Sequence, residues 1–309
     1  MTGWVWLLLV LLLGIGVAWA LRPVRTEGPA SPSEAWVAAE RHARRVTAAA
    51  WVVLVPLPVL LAMSAAGYLH GPARGAFVAA LPGIAGIAFL VVHAGGELTW
   101  PRPQGTVRRA PLVPRRVRDI APRALSWLAV AWFLLLAVLL TACGLAAGTG
   151  GRSLSYAHAD GVTSTSSPFP GLYYGRTIAP TMVVLALACL GVLAQVARRA
   201  AVADTAPADD TGLRRTSARR VLAGVQLVVA WTLAGCLFFA ANCVASVQPR
   251  WADAFGPGSA EAVGTVGRFV SLAVLIVSTV VAVRGSRAER RAPAPQRAEP
   301  YVQQPQVSA

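Results

Sequence analysis

The sequence contains no lysine, and its 28 basic residues are all arginine. With abundant alanine, valine, glycine and proline, this absence indicates a GC-rich coding bias rather than a particular chemistry. Charged residues are also scarce, at 13% of the chain, whereas soluble globular domains carry about 25%. The hydrophobic residues, 56% of the total, stand in long blocks. This composition excludes an ordinary soluble domain and favours a protein of the lipid bilayer.

The chain also lacks the patterns that signal catalysis. It contains no H-E-x-x-H, no G-x-S-x-G and no phosphate-binding glycine loop. Its four cysteines form no C-x-x-C pair and no cysteine–histidine ligand set. All four fall within apolar blocks and are expected to be small packing residues, although a disulfide between Cys143 and Cys243 stays open. We therefore expect a protein that is not an enzyme and has no cofactor and no metal site.

Seven apolar blocks follow one another along the chain. Each has about 19 to 25 residues, enough for a helix to cross a hydrocarbon core of about 30 Å. We expect an all-α polytopic transmembrane bundle over 1–283, with spans at 3–21, 46–69, 76–94, 124–147, 177–197, 221–245 and 263–283. Residues 201–217 are expected to be a flexible linker, and 284–309 a disordered cytoplasmic tail.

The arginines predict the orientation of this bundle. With the N-terminus outside and the C-terminus in the cytoplasm, segments 22–45, 95–123, 198–220 and 284–309 lie inside and hold 23 arginines, against 5 outside. This asymmetry follows the positive-inside rule and predicts a bacterial plasma membrane protein. It also accounts for the net charge of +15, so we expect no nucleic-acid partner.

The first block has an alternative interpretation as a cleaved signal. Ala18-Trp19-Ala20 has the small-residue pattern of a signal-peptidase site. However, no basic residue precedes the block and arginines follow it, which favours a retained anchor inserted with its N-terminus out. After this block, Ser31-Pro32-Ser33-Glu34 has the form of a capping box that opens a helix running into the second span.

Few residues of this chain are candidates for a site, because no carboxylate or arginine lies in the central third of any block. His93 and Glu97 share one helix face at the inner end of the third span. They are candidates for ligand or ion binding, or for an interfacial ion pair that ends the helix. Arg268, slightly inside the outer boundary of the last span, either binds an anion, snorkels outward or pairs with Glu261.

The inner loop 95–123 combines tryptophan, prolines and arginines. It begins Gly-Gly-Glu-Leu-Thr-Trp-Pro-Arg-Pro, and the residues expected to face lipid are Trp100, Arg102, Arg108, Arg109, Arg115 and Arg116. Clustered arginines attract anionic head groups, although the loop also serves simply to set the topology. This stretch, with the arginine-only basic content, resembles uncharacterised multi-pass integral membrane proteins of GC-rich bacteria. The resemblance covers about nine residues and implies no activity.

These features favour a non-catalytic subunit, scaffold or sensor that acts through helix contacts and basic inner loops. Its expected partners are membrane lipids, with anionic head groups at the inner face, and another membrane protein. The alternative is a transporter or binder of an apolar or zwitterionic small molecule or lipid. That alternative depends on Pro56, Pro58 and Pro82, which are expected to kink the second and third spans.

Overall fold

The computed structural model describes residues 33–101, 116–158, 161–203, 205–249, 255–256 and 258–286. This part of the chain forms a mostly helical bundle with one small hairpin. The elements are α1 (Glu34–Leu54), α2 (Pro56–Ala65), α3 (Gly71–Leu98), α4 (Val117–Ile120), α5 (Arg123–Ala146), β1 (Leu154–Ala157), β2 (Thr163–Ser166), α6 (Leu172–Arg198), α7 (Pro207–Val247) and α8 (Ser259–Ser286).

Six helical stretches are long and apolar enough to cross a membrane, with α1 and α2 together forming the first of them. They coincide with the last six of the seven expected spans. The expected first span, 3–21, lies outside the described residues. The expected tail at 284–309 begins too early, since α8 continues to Ser286, and the rest of that tail also lies outside the described residues. The chain is a multi-pass membrane protein.

Consecutive spans run in opposite directions, so the bundle has two different ends. At one end, Glu97 on α3 contacts Arg199 just after α6, and Ser33 before α1 donates to the carbonyl of Ala203 before α7. We call this the arginine-rich end. The opposite end carries β1 and β2 and is called the hairpin end.

The first described span is one long helical stretch that is interrupted at Val55, about two thirds of the way along it. Ser33 is the N-cap and accepts a hydrogen bond from the Trp36 amide at 3.1 Å, so the helix begins two residues later than a cap at Ser31 predicts. It continues to Leu54 and breaks at Val55, because Pro56 has no amide hydrogen to donate. Pro82, in contrast, lies inside the continuous helix α3.

Helix α7 forms the centre of the bundle. Within its membrane-length window 78% of residues are buried, against 17–39% in the other five spans. Its 41 residues correspond to about 61 Å at 1.5 Å per residue, roughly twice the hydrocarbon thickness. The expected flexible linker at 201–217 is therefore wrong from residue 207 onward, since α7 begins there and is helical through the apolar block.

The contact between α7 and α8 is the most extensive in the described part of the fold, and it contains polar bonds between the two spans. Gln226, fully buried, donates to the carbonyl of Ser278 at 2.8 Å. Ser271 donates to the carbonyl of Ala234 at 2.8 Å. Such bonds between helices fix their rotation and register where lipid offers no hydrogen-bond partner.

The loop between α5 and α6 contains a β-hairpin that the expectation of an all-α bundle did not include. Strands β1 and β2 pair antiparallel, with Leu154 opposite Ser166, and the hairpin lies against the end of α7. Cys143 and Cys243 share a small apolar cluster beneath it, and all four cysteines of the chain are free thiols.

Candidate functional site at the arginine-rich end

Buried charged residues converge at the arginine-rich end. They come from the C-terminal end of α3, the residue after α6 and the first turns of α7. The α7 contribution is a stripe spaced by three or four residues, which places its members on one helix face: Asp210, Arg214, Ser217 and Arg220. All four are buried. This end therefore holds more buried charge than any other part of the described structure.

Arg214 joins α7 to the end of α6. Its Nε donates to Asp210 at 2.9 Å, and both side chains are almost completely buried. Its two terminal nitrogens donate to the last carbonyls at the end of α6, those of Val196, Ala197 and Arg199, at 2.8–3.0 Å. A helix end leaves such carbonyls without intrahelical donors, and a cation there also complements the helix dipole. Arg214 therefore caps α6 from a neighbouring helix.

Arg199 is held between an acid and an aromatic ring. One terminal nitrogen lies 3.3 and 3.4 Å from the two carboxylate oxygens of Glu97 and 3.3 Å from the hydroxyl of Ser217. The guanidinium carbon lies 3.7 Å from the centre of the Trp100 ring, a cation–π contact. Burial lowers the pKa of Arg199, and the carboxylate of Glu97 acts in the opposite direction. The pair joins the ends of α3 and α6.

His93 lies one turn before Glu97 and is 5% exposed. Its ring packs against Phe89 with 4.6 Å between centroids. Arg220 acts electrostatically on it from α7, and its Nε2 has no hydrogen-bond partner among the described residues. Glu97 pairs with Arg199, which directly follows α6, and not with His93. The structure therefore shows no ion pair between His93 and Glu97, the pair considered from the sequence.

A narrow crevice separates α1 from α3 at this end. His93, Glu97 and Trp100 line one side of it, and His42 and Thr47 of α1 line the other. His42 Nε2 lies 2.9 Å from the carbonyl oxygen of Gly96. The crevice has room for about one water molecule. The structure thus brings the candidates His93 and Glu97 together around a space for about one water molecule. The expectation that Trp100 faces lipid is wrong, because its ring is buried and stacks on the Arg199 guanidinium.

The remaining predicted residues lie elsewhere. Arg268 is near the hairpin end, where it donates to Glu261 at 2.6 Å, Thr265 at 2.7 Å and Asn242 at 3.4 Å, so it forms the expected pair with Glu261. Arg116 is exposed beside α4. Four arginines of the inner loop lie outside the described residues: Arg102, Arg108, Arg109 and Arg115.

Sequence reasoning missed the contribution of α7 and the residue after α6. Asp210 and Arg214 are four residues apart, the spacing of a helical ion pair. Pro207 at the first helical position and Asp209 in the first turn are helix-start signals. These signals were readable in the sequence, but the polar composition favoured a flexible linker. The role of Arg199 left no comparable signal, because it depends on contacts between distant segments.

Among the described residues, no group of three histidine, cysteine or acidic side chains is placed to hold a metal ion. His158 of the hairpin contacts Ser164 at 2.8 Å and lies at the opposite end of the bundle from His93. Comparison with protein-family models, curated proteins and solved structures found no match for the chain. The geometry of the site is therefore the basis for assigning a function.

Proposed function

We propose that the chain is a non-catalytic component of the bacterial plasma membrane, acting as a subunit, scaffold or sensor. The filled centre of the bundle supports this proposal. Trp51, Phe89, Leu185 and Val229 are fully buried along the spans, so side chains occupy the region through which a transported molecule would pass. Because the interior is densely packed, a partner would bind at the lipid-facing surface or at one of the two ends.

The buried charges support the same proposal. Asp210 and Arg214 bond to each other, Arg214 also bonds to the end of α6, and Glu97 and Arg199 join two helix ends. Catalysis needs a nucleophile or base within reach of a substrate position. Here the carboxylates bond to guanidinium groups that hold helices together, which is a structural use of charge.

Purification from native membranes in mild detergent, with mass spectrometry of everything retained, tests the proposal. We expect a protein partner in fixed stoichiometry. Recovery of one specific small molecule or lipid without a protein partner would contradict it. That outcome would favour a transporter or binder, whose structural support is the helix break at Val55 and Pro56, a joint between α1 and α2.

We further propose that the arginine-rich end faces the cytoplasm, with the N-terminus of the chain outside. Single cysteines at Arg116 and Thr163, both exposed and at opposite ends, test this in a cysteine-free background. In right-side-out membrane vesicles, a membrane-impermeant maleimide should label the cysteine at position 163 and not that at 116. Inverted vesicles should give the reverse pattern, and the opposite result in both preparations would overturn the orientation.

Anionic lipid is the proposed partner at the cytoplasmic face. Ile120 anchors the short helix α4 in the core while Arg116 and Arg118 stay exposed. Each arginine near an anionic surface contributes about 1 kcal/mol. Replacing both by glutamine should weaken retention of phosphatidylglycerol by about 2 kcal/mol, measured by native mass spectrometry. Arg152→Gln, at the hairpin end, is the control, and equal losses in the two variants would contradict the assignment.

A further inference from the structure

The joint between α1 and α2 leaves two backbone carbonyls without their regular donors. In a continuous helix each carbonyl accepts a hydrogen bond from the amide four residues further along. Pro56 and Pro58 have no amide hydrogen, so the carbonyls of Val52 and Leu54 cannot receive that bond. Among the described residues, no other backbone or side-chain donor bonds to either carbonyl. The joint therefore presents acceptors that this part of the chain does not satisfy.

The position of these carbonyls within the span makes the missing bonds costly. Val52 and Leu54 are six and eight residues into the apolar block at 46–69, roughly 9–12 Å from its start at 1.5 Å per residue. Hydrocarbon offers no hydrogen-bond partner, and open backbone within it is found only where protein or a water-filled cavity covers it. Pro82 differs, because the carbonyl that it leaves open belongs to Val78, only two residues into its own apolar block.

The surface around the joint is an exposed helix face, because residues three or four apart lie on one side of a helix. We call it the joint face, and it consists of Val52, Pro56, Val59, Leu60 and Met63. Val52 and Leu60 are each 60% exposed, whereas the side chain of Leu54 is buried. The gap between the Val52 carbonyl and Pro56 therefore opens between two exposed side chains, and Val52 provides the acceptor on the exposed side.

The chain itself offers no suitable donor for this carbonyl. The apolar block at 3–21 has no polar side chain at 7–18, so its middle has no side-chain donor. A second copy related by a two-fold axis would place joint face against joint face, and that face contains no hydroxyl, amide or indole group. Serine, threonine, asparagine and glutamine side chains do form hydrogen bonds between membrane helices. The donor is therefore expected from a different protein.

We infer that the joint face docks a membrane-spanning helix of another protein, whose hydroxyl or carboxamide side chain donates to the Val52 carbonyl. The inference rests on the proposed function, because it gives the location and the chemistry of the expected partner contact. The exposed side chains of Leu60 and Met63 provide the apolar contact area beside the hydrogen bond. A single water molecule is the competing donor, and it would leave the joint face to lipid.

Photo-crosslinking in native membranes tests the surface without requiring a disruptive variant. A photoreactive phenylalanine analogue replaces Leu60 or, as the matched control, Leu134 on α5, which is 62% exposed. We expect position 60, and not 134, to crosslink to a spanning helix of the protein that is retained in fixed stoichiometry on purification. The crosslinked peptide should contain a serine, threonine, asparagine or glutamine. Crosslinks from position 60 only to lipid, to a second copy or to residues 3–21 would each overturn the inference.

Pro56→Ala tests the hydrogen bond, because alanine restores the amide that can donate to the Val52 carbonyl within the helix. We expect the dissociation constant of the purified complex, measured by dilution in detergent, to rise about three- to twentyfold, the range for hydrogen bonds between membrane helices. Pro82→Ala is the control and should leave it unchanged, and an unchanged value in Pro56→Ala would contradict the inference. If a partner is retained but position 60 does not crosslink to it, the inference fails and the proposed function stands. If no partner is retained, both fail.

Discussion

Replacement of Arg214 by methionine should destabilise the protein by about 3–5 kcal/mol, the cost of removing one partner from a buried ion pair. The structure sets this magnitude through three facts. The Arg214 side chain is fully buried, its Asp210 partner is 1% exposed, and its terminal nitrogens bond to carbonyls at the end of α6. Methionine fills much of the volume but provides neither the charge nor the donors.

The matched control is Arg215→Met, one residue further along α7. The Arg215 side chain is exposed, and surface substitutions of this kind change stability by about 0.5 kcal/mol or less. The loss of stability in Arg214→Lys should lie between those of Arg214→Met and Arg215→Met. Lysine keeps the positive charge but lacks the planar guanidinium group that bonds to several acceptors. The free energy of unfolding is measured by denaturant titration in detergent micelles, with helical circular dichroism as the signal.

A double-mutant cycle with Asp210→Asn separates the ion pair from the capping of α6. Groups in one buried network show interaction energies of about 0.5–3 kcal/mol, so removal of Asp210 should cost less when Arg214 is already methionine. If Arg214→Met is no more harmful than Arg215→Met, Arg214 is not a structural clamp and the proposed role is wrong.

Two further predictions concern packing and thiols. Gly224→Ala should destabilise the protein by about 1–3 kcal/mol, because the new Cβ would lie 2.5 Å from Phe89 Cε1. Gly235→Ala on the same helix meets nothing within 4 Å and should be neutral or stabilising by up to about 1 kcal/mol in the same unfolding assay. Alkylation of the denatured, unreduced protein should add four labels; two labels would reveal a disulfide, for which the clustered Cys143 and Cys243 are the candidates.

The positions of the spans were predictable because bilayer thickness sets a minimum apolar length that few other structures need. Six expected blocks coincide with membrane-length helices. The ends of those helices were less predictable, because a helix continues past the lipid wherever neighbouring residues satisfy its polar groups. Helix α7 begins at Pro207, fourteen residues before the block at 221–245, since the buried face of its first turns packs against α6 and the linker.

The candidate site was predictable only in the part that one helix determines. His93, Glu97 and Trp100 are close in sequence, and helical spacing places the first two on one face. Arg199, which contacts Glu97 and Trp100, lies about a hundred residues further along the chain, and no periodicity connects it with them. Arg199 follows a span directly and has the same sequence signature as any arginine that sets topology. A contact between distant helix ends is a property of the assembled bundle.

Polar contacts explain how one arrangement of these helices is selected. Between helices in lipid the hydrophobic effect gives little preference, because hydrocarbon tails are as apolar as leucine. Between these two spans Gln226 donates to the Ser278 carbonyl, which fixes α8 on α7. At the arginine-rich end Arg214 fixes the end of α6 on the same helix. Helix α7 thus carries bonds that define the register of both neighbours. The part of α7 before the apolar block at 221–245 is needed for this, because Arg214 lies in it.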